Sequence, residues 1–323
     1  MTTLSSTPAL IGARVAGVGA ARPSHSICGA ELTAPFGKTA EWLRARTGID
    51  SIRRLSPGET ILDLAETAAR AALGVAHTSV AAVDTVIVAT CSSPSGPGQQ
   101  LSTQLAQRLG FSGQATDLNA ACAGFSYALS CAAAAVRTGQ ANTVLVVAAE
   151  QMSSMIDPQD LGTSILFGDG AGAAVVSGCT LEQDGIAAPA WSSDGALRDV
   201  LEIPSASRTL KMNGQAVFRW AIQAVPPIVS RALGLAGVSA DDLDVFVPHQ
   251  ANLRIIESIA REANLEHCLI ATDVCQAGNT SAASIPLALT RLQEAGRTHS
   301  GALALIVGFG AGLSISGQVI RLP

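Results

Sequence analysis

The chain has 323 residues, of which 48% are apolar and 14% are charged, and its formal net charge is −5. Such a composition is typical of a densely packed globular enzyme with one large domain or two closely packed ones. It excludes a nucleic-acid partner, because no basic run is dense enough to follow a phosphate backbone. It also excludes a membrane protein, because no segment approaches the roughly 20 apolar residues of a bilayer span. The N-terminus lacks a signal-peptide pattern, so we expect a cytoplasmic protein with disorder only in roughly its first ten residues.

The seven cysteines contain no Cys-x-x-Cys pair and are odd in number. This pattern argues against both a disulfide framework and a zinc site. We expect most of the cysteines to be buried thiols that act as small apolar residues.

Helices and strands are predicted to alternate along the whole chain with Gly-rich turns between them, which is the pattern of a layered α/β fold. Three units recur in the same order: a helix with a β-branched strand, a polar turn that opens a helix, and a Gly-rich turn with a strand. Their first copies span 70–89, 117–137 and 167–176, and their second copies span 231–248, 273–295 and 309–316.

Any α/β chain contains some recurring units of this kind, but three in the same order favour a duplication. We therefore predict two similar halves, residues 1–180 and 181–323. In this repeat, Cys122 and Asn279 occupy corresponding places. Two such halves bring the N-termini of two central helices together in the middle of the molecule, where we expect the chemistry.

Cys122 lies at the start of the predicted helix over 123–137 and follows small residues that leave room for a substrate. The helix dipole and the free amide groups at such a position favour the thiolate, which is the form that attacks acyl thioesters. The alternative is a buried structural cysteine, which is how we interpret Cys131 further along the helix. Its position and its small neighbours favour a nucleophile at Cys122.

His249 and Asn279 are the candidate partners of this thiol. His249 follows a strand that corresponds by repeat to the one before Cys122, so its imidazole should point into the same cavity. We interpret the other four histidines as exposed or structural. Asn279 taken alone would be a helix cap, but the repeat places it opposite Cys122, which favours a role in the site.

Five segments resemble the β-ketoacyl-acyl carrier protein synthase III family of the thiolase superfamily, and the similarity runs over essentially the whole chain. They are residues 41–49, 120–125, 167–172, 247–254 and 278–283. The resemblance implies a thiolase-like, duplicated, five-layered αβαβα fold and a homodimer. It also implies that Cys122 takes an acyl group from a coenzyme A or phosphopantetheine thioester, with no permanently bound cofactor or metal. Malonyl on an acyl carrier protein then loses carbon dioxide and attacks that thioester, which starts fatty acid or polyketide synthesis.

In that reaction the resemblance implies that His249 and Asn279 donate hydrogen bonds to the malonyl thioester oxygen, where negative charge develops. The backbone amides of Cys122 and Ala311 would form the oxyanion hole, although the family has a glycine where this chain has Ala311. Phe309 matches the aromatic residue beside the malonyl carboxylate.

Trp42, Arg46, Thr47 and Asn252 match the positions with which the family binds coenzyme A. The alternative is an ordinary surface tryptophan on an amphipathic helix. The family places a further arginine against the adenine, and Leu161 stands there in this chain. We therefore predict weaker recognition of free coenzyme A and a carrier-bound acyl donor.

Arg219, Arg254 and Arg261 match basic positions of the family, and the last two share one face of a predicted helix. Such a cluster on an acidic protein suits the docking of an acidic acyl carrier protein. The alternative is a solvated helix face.

Residues 91–100 are rich in Pro, Gly and Ser and lie where acetyl-primed members of the family carry a bulky phenylalanine that closes the acyl pocket. This chain has none there, and small turn-forming residues leave a larger cavity. We therefore expect a starter larger than acetyl.

Four other functions remain open. The main alternative is an acyltransferase on the same scaffold that moves an acyl group from Cys122 to an acceptor without condensation. Type III polyketide synthases share the Cys-His-Asn set, but their chains are longer. Degradative thiolases need a second reactive cysteine near the C-terminal Gly-rich turn, and none follows Cys275. Non-catalytic partners in the superfamily usually lose the cysteine that is present here.

Overall fold

The computed structural model describes residues 11–93, 99–204 and 209–323. The segment for which we predict disorder, the first ten residues, lies outside these ranges. Within them the strands are Gly12–Ala21 (β1), His25–Cys28 (β2), Ser51–Arg54 (β3), Thr85–Ala89 (β4), Gln114–Leu118 (β5), Thr143–Gln151 (β6), Asp169–Cys179 (β7), Ala190–Ser193 (β8), Leu201–Glu202 (β9), Lys211–Met212 (β10), Val245–Pro248 (β11), Leu269–Ile270 (β12), Leu303–Gly310 (β13) and Ser314–Arg321 (β14).

The α-helices of the same ranges are Gly29–Thr33 (α1), Ala40–Thr47 (α2), Ile61–Val75 (α3), Leu101–Leu109 (α4), Gly124–Arg137 (α5), Leu161–Ser164 (α6), Gly214–Ala236 (α7), Leu253–Glu262 (α8), Val274–Ala277 (α9) and Ser284–Glu294 (α10). None of these helices combines the length and the apolar character needed to cross a bilayer.

Two five-stranded mixed sheets form the framework. Their strand orders are β1-β7-β6-β4-β5 and β8-β14-β13-β11-β12. In both sheets the first two pairings are antiparallel and the last two are parallel. The two sheets therefore have the same topology, with β4 equivalent to β11 and β6 equivalent to β13.

Helices α5 and α10 lie between the two sheets and share one hydrophobic core with both of them. Helices α3 and α4 cover the outer face of the first sheet, and α7 and α8 cover the outer face of the second. Small residues make this arrangement possible, since Ala128 and Ala132 of α5 and Ala288 of α10 are fully buried between the layers. The result is the five-layered αβαβα architecture expected from the sequence.

In chain order, the last strand of the first sheet ends at Cys179, and the first strand of the second sheet begins at Ala190. We propose on this basis that the halves are residues 1–180 and 181–323. The predicted strand at 245–248 is confirmed, and the one at 86–89 begins one residue earlier, at Thr85.

The expected correspondence of Cys122 with Asn279 is wrong. The side-chain oxygen of Asn119 accepts a hydrogen bond from the amide of Ala121 at 3.1 Å, and that of Asn279 accepts one from Ser281 at 2.9 Å. Ala121 and Ser281 then both adopt a left-handed conformation, with φ of 45° and 50°. The two asparagines are thus equivalent, and Cys122 corresponds to the residue after Ser281, which is an alanine.

A second correction concerns the strand before His249. The strand before His249 is β11, whose equivalent is β4, whereas the strand that leads to Cys122 is β5. The expected correspondence of these two strands is therefore wrong.

The expectation that most cysteines are buried is also wrong, because only Cys122 and Cys268 are buried, and Cys131 is exposed on α5. The sequence pattern alone did not distinguish the buried face of α5 from the exposed part on which Cys131 lies.

Candidate active site

The site lies where the N-terminal ends of α5 and α10 meet between the two sheets. A 3₁₀ turn precedes each of these helices, at Ala121–Ala123 and Ser281–Ala283. A cavity of about 250 Å³ opens there, and Cys122, His249 and Asn279 all line it. The structure therefore brings the three predicted residues to one cavity.

Cys122 is held in place by the turn before it. The left-handed conformation of Ala121 is rare for a residue other than glycine, and the side chain of Asn119 stabilises it by bonding the Ala121 amide. The chain then enters the 3₁₀ turn with Cys122 only 6% exposed and facing the cavity. A strained but braced turn thus positions the thiol.

The surroundings of the Cys122 thiol act on its pKa in opposite directions. Burial raises the pKa of Cys122 to about 12, the hydroxyl of Ser281 acts against this by hydrogen bonding, and the nearby carboxylate of Glu150 adds to it. The raised pKa opposes the preference for the thiolate that we expect from the helix N-terminus, and that preference stays a prediction. Formation of a thioester requires that the thiol proton be transferred during the reaction.

His249 follows β11 and is almost fully buried. Its Nδ1 lies 2.7 Å from the hydroxyl oxygen of Ser284, which also accepts a hydrogen bond from the amide of Gln250 at 3.3 Å. Burial lowers the pKa of His249 to about 3, while a backbone interaction with Ser281 opposes the shift. The imidazole is therefore neutral, and the contact with Ser284 fixes its ring.

Asn279 lies in the turn before α10 and is 6% exposed. Its side-chain oxygen accepts the hydrogen bond from the amide of Ser281, which leaves the NH₂ group as the part of the carboxamide available to the cavity. Its backbone joins the two halves, since its amide donates to Leu166 at 2.8 Å and its carbonyl accepts from Gly168 at 3.0 Å. The residue holds a turn and is not the N-cap of α10, which is Ala283.

Gly310 allows the end of β13 to approach the thiol. A Cβ at this position would lie 2.7 Å from Cβ and 3.1 Å from Sγ of Cys122, so only glycine fits. Ala311 follows it and lines the cavity. Phe309 forms another wall, with its ring edge-on to the imidazole of His249 at a centroid distance of 5.2 Å.

The sequence-based reasoning missed Glu150, Ser281 and Cys91. Glu150 is fully buried near the end of β6, while Ser281 and Cys91 line the cavity. A signal for Glu150 was present, because it is the one charged residue of the buried strand Thr143–Gln151. An ionisable side chain inside an apolar strand indicates a specific role or a paired charge.

A second cavity lies at the entrance to the first and shares Leu166, Met212, Gly214 and Asn252 with it. Its wall includes the remaining residues expected to bind coenzyme A, which are Trp42, Arg46 and Thr47, together with Leu161 and Arg219.

The indole of Trp42 is flanked by two cations at this entrance. The ammonium of Lys38 lies 5.7 Å from its ring centroid, and the guanidinium of Arg46 lies 5.1 Å from it. Asn252 has a structural task as well, because its side chain caps α8 by accepting from the amide of Arg254 at 2.8 Å.

The three basic residues expected to dock a carrier differ in their surroundings. Arg254 pairs with Glu257 at 2.8 Å and donates to the carbonyls of Ala45 and Arg44 at the C-terminal end of α2. Arg261 is largely exposed, with Glu266 at 3.8 Å. Arg254 is therefore partly neutralised and braces two helices, whereas Arg219 and Arg261 lie away from that bracing contact.

Comparison with known proteins gives a consistent result over the whole chain. Residues 116–195 match the sequence model of 3-oxoacyl-[acyl-carrier-protein] synthase III, and residues 233–322 match that of its C-terminal part. The chain is 41% identical to β-ketoacyl-[acyl-carrier-protein] synthase III 4 of Streptomyces coelicolor, over 97% of this chain and 99% of that protein. It is 42% identical to a β-ketoacyl-[acyl-carrier-protein] synthase III of Streptomyces lividans, over 96% and 94% of the two chains.

Solved structures give the same picture. The priming β-ketosynthase from the R1128 polyketide biosynthetic pathway superposes with a TM-score of 0.94 at 42% identity, covering 99% of this chain and 98% of that one. The 3-oxoacyl-(acyl carrier protein) synthase III of Pseudomonas aeruginosa superposes with a TM-score of 0.91 at 35% identity, covering 97% and 98%. The fold described above is the fold of these proteins.

Proposed function

This chain belongs to the β-ketoacyl-acyl carrier protein synthase III family and is a condensing acyltransferase, and we propose that it carries its acyl starter as a thioester on Cys122. The observation that carries the proposal is that the thiol of Cys122, the imidazole of His249 and the carboxamide of Asn279 line one cavity. A nucleophile and two hydrogen-bond donors in a largely apolar cavity are what acyl transfer followed by decarboxylative condensation requires.

In the first stage, Sγ of Cys122 attacks the thioester carbonyl of the donor, and the bond from that carbonyl to the donor sulfur breaks. The backbone amides of Cys122 and Ala311 stabilise the oxyanion that forms in between. The close approach of Gly310 to the thiol supports this arrangement, because it brings the Ala311 amide to the same wall of the cavity.

In the second stage, malonyl on an acyl carrier protein enters, and its carboxylate leaves as carbon dioxide. His249 and Asn279 donate hydrogen bonds to the thioester oxygen of the resulting enolate, which then attacks the acyl group on Cys122 and displaces the cysteine thiolate. We assign the hydrogen of the neutral imidazole to Nε2, with Nδ1 facing the Ser284 hydroxyl. The apolar ring of Phe309 beside this imidazole disfavours the malonyl carboxylate that departs.

We propose a starter larger than acetyl. Apolar side chains make up much of the cavity, among them Met152, Met155, Leu201 and Leu210. Methionine adapts its shape to an irregular apolar group, so such a wall suits an alkyl chain. Residues 94–98, the centre of the stretch from which we predict the larger starter, lie outside the described residues.

The residues that line the entrance cavity lead to a proposal about the type of acyl donor. We propose that Trp42, Arg46, Thr47 and Asn252 contact the nucleotide and pantetheine of a coenzyme A thioester, and that Leu161 weakens this contact in favour of a carrier-bound donor. The position of Leu161 in the entrance wall supports the proposal, since leucine offers no charge and no planar group to an adenine or a phosphate.

The acyl carrier protein docks, in our proposal, on the surface that carries Arg219, Arg254 and Arg261. Arg219 lies at the entrance itself, and Arg261 is exposed. We also propose a homodimer, as the resemblance implies, and a cytoplasmic location.

The decisive experiment offers a panel of acyl-coenzyme A and acyl-carrier donors, from acetyl to branched and longer chains. The acyl adduct on Cys122 is followed by mass spectrometry. Carbon dioxide release is measured with and without malonyl-acyl carrier protein. We expect an adduct that is lost in Cys122→Ser, and condensation in the presence of the malonyl carrier.

The alternative outcomes are distinct. An adduct without carbon dioxide release would identify an acyltransferase that does not condense. The absence of any adduct would leave only a binding protein. Acetyl as the best donor would contradict the larger starter, and a strong preference for coenzyme A over the carrier would contradict the role of Leu161.

A further inference from the structure

The two hydrogen-bond donors of the candidate site come from separate segments of the chain. His249 follows β11, whereas Asn279 follows the short helix α9. In the proposed second stage both donate to one thioester oxygen, so both nitrogen atoms must lie within hydrogen-bond distance of the same point. A displacement of about 1 Å in a reacting site can cost about 100-fold in rate. The relative position of the two segments therefore decides how well the enolate is stabilised.

Strand pairing places the corresponding asparagine in the first half of the chain. Strands β4 and β5 pair over five residues, and Asn119 directly follows β5. In the second sheet β11 and β12 pair over two residues. Residues 271–278 then separate β12 from Asn279. The pairing of the second sheet thus ends well before Asn279, and another contact must connect this segment to β11.

The side chain of Gln250 lies beyond the end of this pairing. It is 1% exposed, and its NH₂ group donates to the carbonyl of Pro248 at 2.8 Å and to that of Ala271 at 3.1 Å. Its oxygen accepts from the amide of Val274, the first residue of α9, at 3.1 Å. The partners fix the orientation of the carboxamide, because a carbonyl only accepts and an amide N–H only donates.

These hydrogen bonds connect the two donors of the site through short stretches of backbone. Pro248 directly precedes His249, and Val274 begins the helix that leads to Asn279. Gln250 is not among the described residues that line the cavity. The side chain therefore acts on the site through its neighbours and not through contact with a substrate.

We propose that Gln250 is a positioning residue, which holds His249 and Asn279 at the separation that lets both donate to one oxygen. The inference rests on the proposed function, because it concerns the stage in which the enolate forms. Cys122 is positioned independently, by the turn that Asn119 stabilises in the other half. Loss of the Gln250 bonds should therefore lower decarboxylation and leave acylation of Cys122 unchanged.

The charges around Gln250 determine how a new carboxyl group would behave there. Burial lowers the pKa of His249 to about 3, so the adjacent imidazole is neutral. On the other side, Asp273 directly precedes α9, and burial raises its pKa while two arginines act against this. The charged groups of this network are Asp273, Arg22, Arg291 and Glu294. A glutamate at position 250 would face two carbonyl oxygens in a buried place, which raises the pKa of a carboxyl group.

A purely structural role for Gln250 makes a different prediction. Loss of three buried hydrogen bonds lowers the melting temperature in either case. If stability were its only contribution, acylation and decarboxylation would fall together with the folded fraction. A positioning role separates the two activities. It also lowers kcat and leaves KM for the malonyl thioester nearly unchanged, because the two donors act on charge that develops in the transition state.

The test uses Gln250→Glu in the full-length protein. The protonated acid has nearly the shape of glutamine, can accept from the Val274 amide and can donate to one of the two carbonyls. The carboxylate would instead repel both carbonyls. The control is Gln318→Glu, on β14 and outside the cavity wall. Gln318 is fully buried and accepts from the hydroxyl of Ser130 at 3.0 Å, while its NH₂ group lacks a hydrogen-bond partner among the described residues.

The acyl adduct on Cys122 is followed by mass spectrometry, and carbon dioxide release from malonyl-coenzyme A is measured between pH 5 and 8. In the wild type and in Gln318→Glu we expect kcat of decarboxylation to vary less than twofold. In Gln250→Glu it should fall by about 100-fold as the pH rises through the pKa of the new carboxyl group, because the neutral acid supports the site and the carboxylate does not. Acylation should stay within threefold of the wild type.

A second variant covers the case in which the glutamate does not fold or does not ionise in this range. Gln250→Met keeps the length of the side chain and forms none of the three hydrogen bonds. We expect kcat of decarboxylation to be about 100-fold lower at every pH, with acylation retained. Gln318→Met, its matched control, should keep the activity of the wild type.

Nuclear magnetic resonance gives a readout that does not depend on activity. In Gln250→Glu the ¹⁵N signals of the His249 ring and of the Asn279 side-chain amide should shift with one common midpoint, which is the pKa of the new carboxyl group. In Gln318→Glu the same signals should stay constant over this range.

Two results would overturn the inference: decarboxylation at the wild-type level in both Gln250 variants, or a parallel loss of acylation and decarboxylation. Failure of the proposed function is recognised separately. A wild-type protein that neither acylates nor decarboxylates would refute that function, while the common shift of the His249 and Asn279 signals would still test the role of Gln250.

Discussion

The hydroxyl oxygen of Ser284 lies 2.7 Å from Nδ1 of His249. The same oxygen accepts the amide hydrogen of Gln250. Ser284 is the first residue of α10, so this helix orients the imidazole of His249. The same helix follows the turn that contains Asn279, the other candidate hydrogen-bond donor.

Replacement of Ser284 by alanine should impair decarboxylation and spare acylation. Loss of one hydrogen bond worth about 1 to 1.5 kcal/mol corresponds to a fall of about tenfold in the rate of carbon dioxide release. The ¹⁵N chemical shifts of His249 should report a changed tautomer ratio. An unchanged shift together with an unchanged rate would show that the ring does not depend on this contact.

The substitution Asn279→Asp distinguishes the role of Asn279 in its turn from its role as a hydrogen-bond donor. The aspartate keeps an oxygen that can accept from the Ser281 amide, but it lacks the NH₂ group that faces the enolate oxygen. We expect decarboxylation to fall by about 10²- to 10³-fold while the adduct on Cys122 still forms. Asn264→Asp, at an exposed site that does not line the cavity, serves as the control. Comparable loss in both variants would contradict the assignment.

The state of His249 predicts a pH profile. Burial lowers its pKa to about 3, so the imidazole gains a proton only far below neutral pH. Decarboxylation of malonyl-coenzyme A should therefore vary less than twofold between pH 5 and 8, measured within the range where the protein remains folded. A transition with a midpoint near 6.5, the value of a solvated histidine, would mean that the ring is ionised during catalysis.

Gly310→Ala should damage both the site and the fold. The added Cβ would lie 2.7 Å from Cβ of Cys122, and overpacking of this kind costs about 1–3 kcal/mol. Acylation of Cys122 should fall by more than tenfold, and the melting temperature should drop.

The matched control for that glycine is Gly74→Ala. A Cβ there meets no atom within 4 Å, and the position lies inside α3. Alanine should stabilise this helix by up to about 1 kcal/mol without changing activity. If the two substitutions gave equal melting temperatures, the packing argument at Gly310 would fail.

The general architecture could be derived from the sequence because it depends on short-range patterns. The strand at 245–248 and the helix after Cys122 carry their own periodicity, and the two Gly-rich segments mark the end of each half. The same patterns gave the wrong pairing of Cys122 with Asn279. Equivalence depends on the turn made by Asn119, which a comparison of element order cannot resolve to single residues.

The site was predicted less completely than the fold. His249, Asn279 and Cys122 belong to distinctive motifs, so they were found. Glu150 and Ser281 were missed, because their importance depends on contacts between residues that are far apart in the sequence. The sequence marks Glu150 only as the one charged residue of β6, and its contacts with Cys91 and Ala282 form only once β6 and the turn before α10 are brought together.

The equivalent turns at Ala121 and Ser281 contribute different groups to one cavity. Cys122 follows the first turn, whereas Asn279 belongs to the second, and His249 contacts Ser284 in the helix after it. Neither turn holds the full set of candidate reacting groups by itself. A protein with Cys122→Ala and a protein with Asn279→Ala should therefore not restore activity to each other when they are mixed, because each cavity takes both groups from one chain.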